Sequence, residues 1–167
     1  MNQATQAEWE AMWAPYDEPI YREALSHIRP GTIVLDIGAG DLRFARLAAS
    51  RAGFVYAVER RPELVGAALT TDLPANIEVI CADARTVAFP DDVDTAILLM
   101  RHCIHFDLYV RKLEAIGCRY LITNARWGMG VELIDLNQSP SPLSKRRPAG
   151  LPVAAEEPVF VKGCRIN

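Results

Sequence analysis

The stretch Val34–Ala49 reads VLDIGAGDLRFARLAA, and it decides the fold class. It begins inside the short apolar run Thr32–Ile37, which predicts a buried strand. Gly38 and Gly40 follow this run directly, and apolar residues at helical spacing come next. Glycine lets the backbone approach a ligand at distances that a Cβ atom would prevent. The stretch therefore predicts a strand, a tight glycine turn and a helix, with a ligand site at the turn.

The alternation of strand and helix continues along the chain. Strands are predicted over Phe54–Val58, Asn76–Cys81, Thr95–Met100, Cys118–Thr123, Val131–Leu136 and Pro158–Gly163, and helices over Leu42–Ala49, from Pro62 to about Leu69 and over Phe106–Ile116. The first strands are apolar on both faces, as in a parallel sheet that helices cover on each side. The pattern predicts the α/β class, with a doubly wound, Rossmann-like, mostly parallel sheet and helices on both faces.

The length of 167 residues corresponds to a single domain spanning 1–167. Residues 1–30 are predicted to form an N-terminal helical lid, in which Trp9 and Trp13 share one helix face. Both tryptophans are expected to pack in the core, the commoner fate of large aromatic side chains. Residues 137–158 hold five of the eleven prolines and are predicted to be a proline-rich loop.

Composition excludes several classes of protein. Half of the residues are hydrophobic and 23% are charged, which is typical of a folded globular chain. The net charge of −3 argues against binding to nucleic acid through bulk positive charge. The apolar runs are shorter than the ~18 residues of a membrane helix, and the first ten residues lack a signal core, so we expect a cytoplasmic protein. The four cysteines are scattered and predict free thiols.

The residues around the glycine turn favour one kind of ligand over another. Arg43 stands at the third glycine position of a dinucleotide fingerprint, where it would obstruct a pyrophosphate. Asp36 adds a negative charge immediately before the turn. Both features argue against a nicotinamide-dependent oxidoreductase and favour a ligand that is cationic or free of phosphate.

At this point the sequence resembles a known family. Asp36-x-Gly38-x-Gly40 after an apolar strand is similar to motif I of class I S-adenosylmethionine-dependent methyltransferases. Acidic residues after the next two predicted strands and the strand that starts near Asp94 fit the later motifs of this family, so the resemblance covers about residues 20–123. The sequence departs from the family pattern at Leu42, where a third glycine is common.

The resemblance implies S-adenosylmethionine as cofactor and assigns a role to each matching residue. Glu59 would accept hydrogen bonds from both ribose hydroxyls, Asp83 would lie near the adenine amino group, and the backbone of Ala84 would contact the ring. Tyr16 in the predicted lid would reach the methionine end, where an aromatic face suits a sulfonium cation. The expected cofactor-binding residues are Asp36, Gly38, Ala39, Gly40, Glu59, Asp83, Ala84 and Tyr16.

Each of these residues also has a purely structural interpretation. The two glycines could form an ordinary tight turn between strand and helix. Glu59 could be a solvated charge beside two arginines, and Asp83 could cap a turn. These alternatives stay open at the level of sequence.

Candidate catalytic residues lie in the segment Met100–Phe106, after the fourth predicted strand. His102 is a candidate general base and Arg101 a candidate ligand for an anionic acceptor. The histidines and Cys103 are too closely spaced for the usual zinc patterns, so no metal is expected. The structural alternative is that His105 caps the following helix and that Cys103 packs beneath it.

The sequence therefore predicts methyl transfer from S-adenosylmethionine to an unidentified acceptor, with a protein side chain or a small molecule favoured. The segment after the fourth strand lacks the Asn/Asp-Pro-Pro-aromatic motif, so nucleic acid is not the expected acceptor. The alternative hypothesis is a non-catalytic S-adenosylmethionine-binding or interaction module, since the chain has no inserted substrate domain. No membrane partner is expected. The predicted strand Pro158–Gly163 suggests a homodimer if it crosses to a second copy.

Overall fold

A computed structural model describes residues 18–101, 103–126 and 130–138, together with the backbone of two short strands near the C-terminus. Tyr16, His102, both tryptophans of the predicted lid and most of the predicted 137–158 loop lie outside the described residues. The part of the predicted lid that is described, residues 18–27, forms helix α1.

The remaining elements alternate between strand and helix as the sequence predicts. The helices are α2 (Arg43–Ala49), α3 (Pro62–Ala68) and α4 (Phe106–Ala115), and the strands are β1 (Ile33–Ile37), β2 (Phe54–Glu59), β3 (Ile77–Cys81), β4 (Thr95–Leu98), β5 (Tyr120–Thr123), β6 (Glu132–Asp135), β7 (Val159–Val161) and β8 (Cys164–Ile166). The strand order is β6-β5-β4-β1-β2-β3-β8-β7. The predicted doubly wound α/β fold is confirmed.

The five strands β1 to β5 are parallel, and β1 lies between β2 and β4. β6 joins β5 in antiparallel pairing. At the other side of the sheet, β8 pairs parallel with β3 and β7 pairs antiparallel with β8. The sequence analysis predicts the strand that contains β7 but misses β8, because three residues are too few to show an alternating pattern.

The core consists of two apolar layers, one on each face of the sheet. Val34 and Leu35 are adjacent in β1, are both fully buried, and point to opposite faces. On the Val34 face, α1, α2 and α3 contribute apolar side chains, among them Ala24, Phe44 and Val65. The Leu35 face is covered by α4, which contributes Tyr109, Val110 and Leu113. This arrangement leaves the carboxyl ends of the parallel strands together at one edge, where ligands of such sheets bind.

No helix in the described part of the chain is long and apolar enough to cross a membrane.

Candidate functional site

A cleft of about 470 Å³ opens at the carboxyl ends of the central strands. Four of the predicted cofactor-binding residues line it together, namely Gly38, Glu59, Asp83 and Ala84. The other lining residues are Val58, Arg60, Arg61, Ala82, Arg85, Leu99, Met100, His105 and Tyr109. Residues from the ends of β1, β2 and β3 and from the loop after β4 therefore meet at one site, although they are far apart in sequence.

The glycine turn after β1 has the backbone conformation that its composition predicts. Gly38 and Gly40 have φ angles of 78° and 58°, in the left-handed region that glycine adopts most easily. The amides of Gly38 and Ala39 both donate to the carbonyl of Val58, each at 2.9 Å. A Cβ atom on Gly38 would lie 2.9 Å from Cε of Met100, so the turn leaves little room beside the cleft.

Leu42, at the position where the family often has a third glycine, also adopts a left-handed backbone conformation. Its φ angle is 65°, and within the described residues no other non-glycine residue has a positive φ. Its side chain is fully buried against the helices on the Val34 face of the sheet. The turn thus retains the backbone conformation that a glycine would favour, while the leucine fills the core.

Glu59, at the end of β2, bonds to the glycine turn after β1 and to Arg61, two residues further along the chain. Its Oε2 atom accepts a hydrogen bond from the amide of Gly40 at 2.9 Å. Its Oε1 atom accepts bonds from the amide and from Nε of Arg61, each at 3.0 Å. The residue is only 4% exposed, so the interpretation of Glu59 as a solvated surface charge is wrong.

Asp36 is the most perturbed acid near the turn. It is 4% exposed, and Oδ2 has no hydrogen-bond partner among the described residues. Burial, reinforced by the negative charge of Glu59, raises the pKa of Asp36 from 3.8 to about 7. Asp36 is not one of the residues that line the cleft. A nearby cation would stabilise the ionised form of such an acid, because its positive charge would offset both the burial and the repulsion by Glu59.

Asp83, after β3, both caps a turn and faces the cleft. Its Oδ1 atom accepts a bond from the amide of Arg85 at 2.9 Å, which is the turn contact considered from the sequence. The guanidinium of Arg85 also binds both carboxylate oxygens, with Nε at 2.9 and 3.0 Å. Hydrogen bonding to Arg85 lowers the pKa of Asp83 to about 2. Asp83 is therefore a fixed negative charge on the wall of the cleft at neutral pH.

Lys112 of α4 supports the Asp83 segment from behind, and sequence reasoning does not identify it. Its Nζ donates to the carbonyls of Ala84 and Val87, at 2.5 and 2.6 Å. The ammonium also lies 4.0 Å from the centre of the Phe89 ring. Burial lowers the pKa of Lys112 to about 8. A lone lysine in an amphipathic helix carries no sequence signal for such a role.

The loop after β4 contributes to the cleft through Met100 and His105. His105 occupies the N-cap position of α4, but its side chain makes no capping hydrogen bond. Arg101 is described but is not a lining residue, and His102, the other predicted catalytic residue, lies outside the described residues. The side chain of Cys103 packs against the apolar layer under α4, as one of the two interpretations of this loop predicts. The catalytic roles of Arg101 and His102 stay predictions.

Asn124, directly after β5, is a further polar residue that the sequence analysis does not single out. It is 3% exposed, and Oδ1 has no hydrogen-bond partner within the described residues. Such buried unpaired groups are rare in folded proteins and are often retained for function. The described residues contain no group of three or more side chains suited to a metal ion.

Comparisons with known proteins agree with this arrangement. Residues 34–116 match the model of the methyltransferase domain family. No curated protein sequence matches the chain. Three similar solved structures are an S-adenosylmethionine dependent methyltransferase from Mesorhizobium loti, the 23S rRNA methyltransferase ErmE and a dimethyladenosine transferase from Plasmodium falciparum.

The similarity to these structures concerns the fold and part of each protein. The sequence identities are 20%, 26% and 18%, and the TM-scores are 0.55, 0.54 and 0.56, in the same order. The matches cover 65%, 64% and 63% of this chain, but only 52%, 44% and 40% of the solved chains. This chain therefore spans about half of the length of the structures it matches.

The family match begins in β1 and ends just after α4, so it includes the glycine turn, Glu59 and Asp83. Residues 34–116 therefore belong to the methyltransferase domain family.

Proposed function

We propose that the protein binds S-adenosylmethionine in the cleft and transfers its methyl group to a protein side chain or a small molecule. The observation that carries the proposal is the meeting of the glycine turn, Glu59 and Asp83 at one cleft. Two carboxylates on the wall suit a ligand with ribose hydroxyls, an amino-substituted ring and a net positive charge. Family membership makes S-adenosylmethionine the ligand of choice among such molecules.

The contacts of Glu59 leave capacity for the ribose. A carboxylate offers about four lone-pair sites, and Glu59 accepts three hydrogen bonds, from Gly40 and Arg61. Arg61 is partly exposed and its Nε bond to Glu59 can give way to a hydroxyl donor. The Gly40 bond fixes the carboxylate in the orientation that a ligand would meet. We assign Glu59 to the ribose, Asp83 and Ala84 to the adenine, and Gly38, Ala39 and Gly40 to the close approach of the backbone.

Asp36 would act on the charge of the ligand rather than through a contact in the cleft. S-adenosylmethionine carries a sulfonium and an ammonium group, whereas its product S-adenosylhomocysteine lacks the sulfonium. The buried Asp36 carboxyl is influenced by the charge of Glu59, and among the described residues no cation offsets its burial. The more cationic ligand should therefore gain more from an ionised Asp36.

The test is calorimetric titration of the purified protein with S-adenosylmethionine and, separately, with S-adenosylhomocysteine. Glu59→Ala and Asp36→Ala are expected to weaken or abolish micromolar binding. Glu63→Ala, which removes an exposed carboxylate from the first turn of α3, is the matched control and should leave affinity unchanged. Failure of the wild-type protein to bind either ligand would overturn the proposal.

The alternative, a non-catalytic S-adenosylmethionine-binding module, is separated from the enzyme by product formation. Protein that binds the cofactor is incubated with methyl-labelled S-adenosylmethionine and acceptor pools of proteins, small metabolites and RNA. RNA is included because two of the similar structures are the 23S rRNA methyltransferase ErmE and a dimethyladenosine transferase. Label transferred to any pool excludes the non-catalytic module, and label in RNA alone would contradict the acceptor class proposed above.

A further inference from the structure

We propose that Lys112 is a positioning residue for the adenine side of the cleft, acting on Asp83 through the peptide unit between Ala84 and Arg85. The inference rests on the proposed function for the identity of the ligand. Its structural part concerns only this chain: one half-buried ammonium on α4 fixes the backbone whose amide orients the Asp83 carboxylate.

The first step is the contact between α4 and the loop that follows β3. Nζ of Lys112 lies 2.5 Å from the carbonyl oxygen of Ala84 and 2.6 Å from that of Val87. Bonds from a charged donor are stronger than those between neutral groups. The ring of Phe89 lies beneath the ammonium at 4.0 Å, which closes its other side. Lys112 therefore ties two carbonyls of residues 82–89 to a helix that is anchored in the core.

The second step leads from the carbonyl of Ala84 to Asp83. The same rigid peptide unit that presents this carbonyl to Lys112 presents the Arg85 amide on its opposite side. That amide donates to Oδ1 of Asp83 at 2.9 Å. Rotation of the peptide unit would break both bonds together. The orientation of a carboxylate on the cleft wall is thus coupled to Lys112, which is not itself a lining residue.

The third step is the lack of other supports for this peptide unit. Within the described residues, the remaining backbone bonds of the loop come from the amide of Ala82, which donates to the carbonyl of Glu59, and from the amides of Thr86 and Val87, which both donate to the carbonyl of Asp83; none of them involves the Ala84–Arg85 peptide unit. Residues 82–89 contain no helix or strand that would hold the Ala84 carbonyl in place. The ionisable groups that face Lys112 or Asp83 are Arg85 and Arg60 around the carboxylate and Tyr109 on α4. None of them is bonded to the Ala84 or Val87 carbonyl.

The experiment compares Lys112→Met with Arg111→Met. The first variant keeps an unbranched apolar stem and removes the ammonium, while the second removes the neighbouring exposed cation from the same helix. Affinities are measured by calorimetry for S-adenosylhomocysteine and for 5′-methylthioadenosine, which shares the adenosine part but lacks the amino acid. Lys112→Met should lower the affinity for both ligands by a similar factor of about tenfold, the order expected for lost charge-assisted bonds. Arg111→Met should leave both affinities unchanged, and Lys112→Arg should recover most of the affinity lost in Lys112→Met.

A second measurement needs no ligand and separates this inference from the proposed function. Amide hydrogen exchange of Arg85, Thr86 and Val87 is expected to accelerate in Lys112→Met and to stay unchanged in Arg111→Met. If wild-type protein binds neither ligand, the proposed function fails, and the exchange result still decides whether Lys112 orders the loop. Unchanged exchange in Lys112→Met would overturn the inference. So would a loss of affinity for S-adenosylhomocysteine without a loss for 5′-methylthioadenosine, because the effect would then lie away from the adenine side.

Discussion

The carboxylate of Glu59 accepts a hydrogen bond from the backbone amide of Gly40 at 2.9 Å, which links the end of β2 to the glycine turn after β1. The two residues are 19 positions apart, and the bond holds the turn at the wall of the cleft. Glu59 therefore supports the backbone of the site as well as lining the cleft. Any substitution of Glu59 affects both roles.

We predict that Glu59→Ala lowers both the free energy of unfolding and the affinity for S-adenosylhomocysteine. The Gly40 and Arg61 amides lose a charged acceptor, and each such bond contributes about 1.5–3 kcal/mol. Glu59→Gln keeps the shape of the side chain but turns one acceptor atom into a donor, so it should recover only part of the loss. Urea unfolding and calorimetry check the two effects. A Glu59→Ala variant with wild-type affinity would show that the ribose assignment is wrong.

At position 42, we expect a glycine substitution to be no more destabilising than an alanine substitution, the reverse of the usual order of stability. Truncating a fully buried leucine costs about 2–5 kcal/mol, so both Leu42→Ala and Leu42→Gly destabilise the protein. At a φ angle of 65°, however, alanine pays about 1–2 kcal/mol for the left-handed backbone and glycine does not. We therefore expect Leu42→Gly to unfold at a urea concentration equal to or higher than that of Leu42→Ala.

Leu113 of α4 is the matched control for this ranking, since it is equally buried but lies in a regular helix. There glycine should be about 1 kcal/mol less stable than alanine. The same order at Leu42 and Leu113 would contradict a strained backbone at Leu42.

Alanine substitutions at the two glycines of the turn distinguish the cost of backbone strain from that of steric contact. Gly40→Ala meets no atom within 4 Å and should cost about 1–2 kcal/mol of unfolding free energy through its positive φ alone. Gly38→Ala pays the same strain and also presses on Cε of Met100. Because Cε is the free end of a flexible side chain, Met100 should move aside, and the two alanine variants should have similar stability. Gly38→Ala should bind S-adenosylhomocysteine more weakly, since its methyl group narrows the cleft.

A double-mutant cycle between Gly38→Ala and Met100→Ala measures that steric contact. The expected coupling in unfolding free energy is below about 0.5 kcal/mol, the level at which separate sites are additive. A larger coupling would mean that Met100 is held rigidly over the turn.

The titration of Asp36 should lower the free energy of unfolding as the pH rises through a defined range. With a pKa of about 7 in the folded state against 3.8 in the unfolded state, the folded state binds the extra proton between these values. Stability contributed by this proton is therefore lost as pH rises from about 4 to 7, and the loss is complete above pH 7. Three pKa units correspond to about 4 kcal/mol as an upper bound.

Asp36→Asn removes this titration, so its stability relative to wild type should increase from pH 4 to pH 7 and then level off. Urea unfolding at pH 4, 5.5, 7 and 8 checks the trend. Asp107→Asn, which replaces an exposed carboxyl in the first turn of α4, serves as the control for the loss of a carboxyl group outside the site. A constant difference between Asp36→Asn and wild type across the range would mean that Asp36 is ionised throughout.

The sequence predicts most of the elements that position the site, because their signals are local. The bounds of β1, β2 and β3 agree with the predicted strands to within one residue, and α3 begins at Pro62 as predicted. β4 ends two residues earlier than predicted, and β8 is missed. The placement of Gly38, Glu59, Asp83 and Ala84 on one cleft also follows from the order of strands in a doubly wound sheet. Homodimer formation and a cytoplasmic location stay predictions.

The fold class follows from local sequence signals, since the strand, the glycine turn and the helix of Val34–Ala49 are specified by apolar periodicity and by two residues without a Cβ atom. The environment of the charged side chains, in contrast, follows from tertiary packing. The burial of Asp36 beside Glu59 and the contact of Lys112 with Ala84, 28 residues away, depend on which surfaces the packed layers bring together. Apolar periodicity predicts which side of an element is buried. It does not predict which distant polar atom will lie next to a charged group after packing.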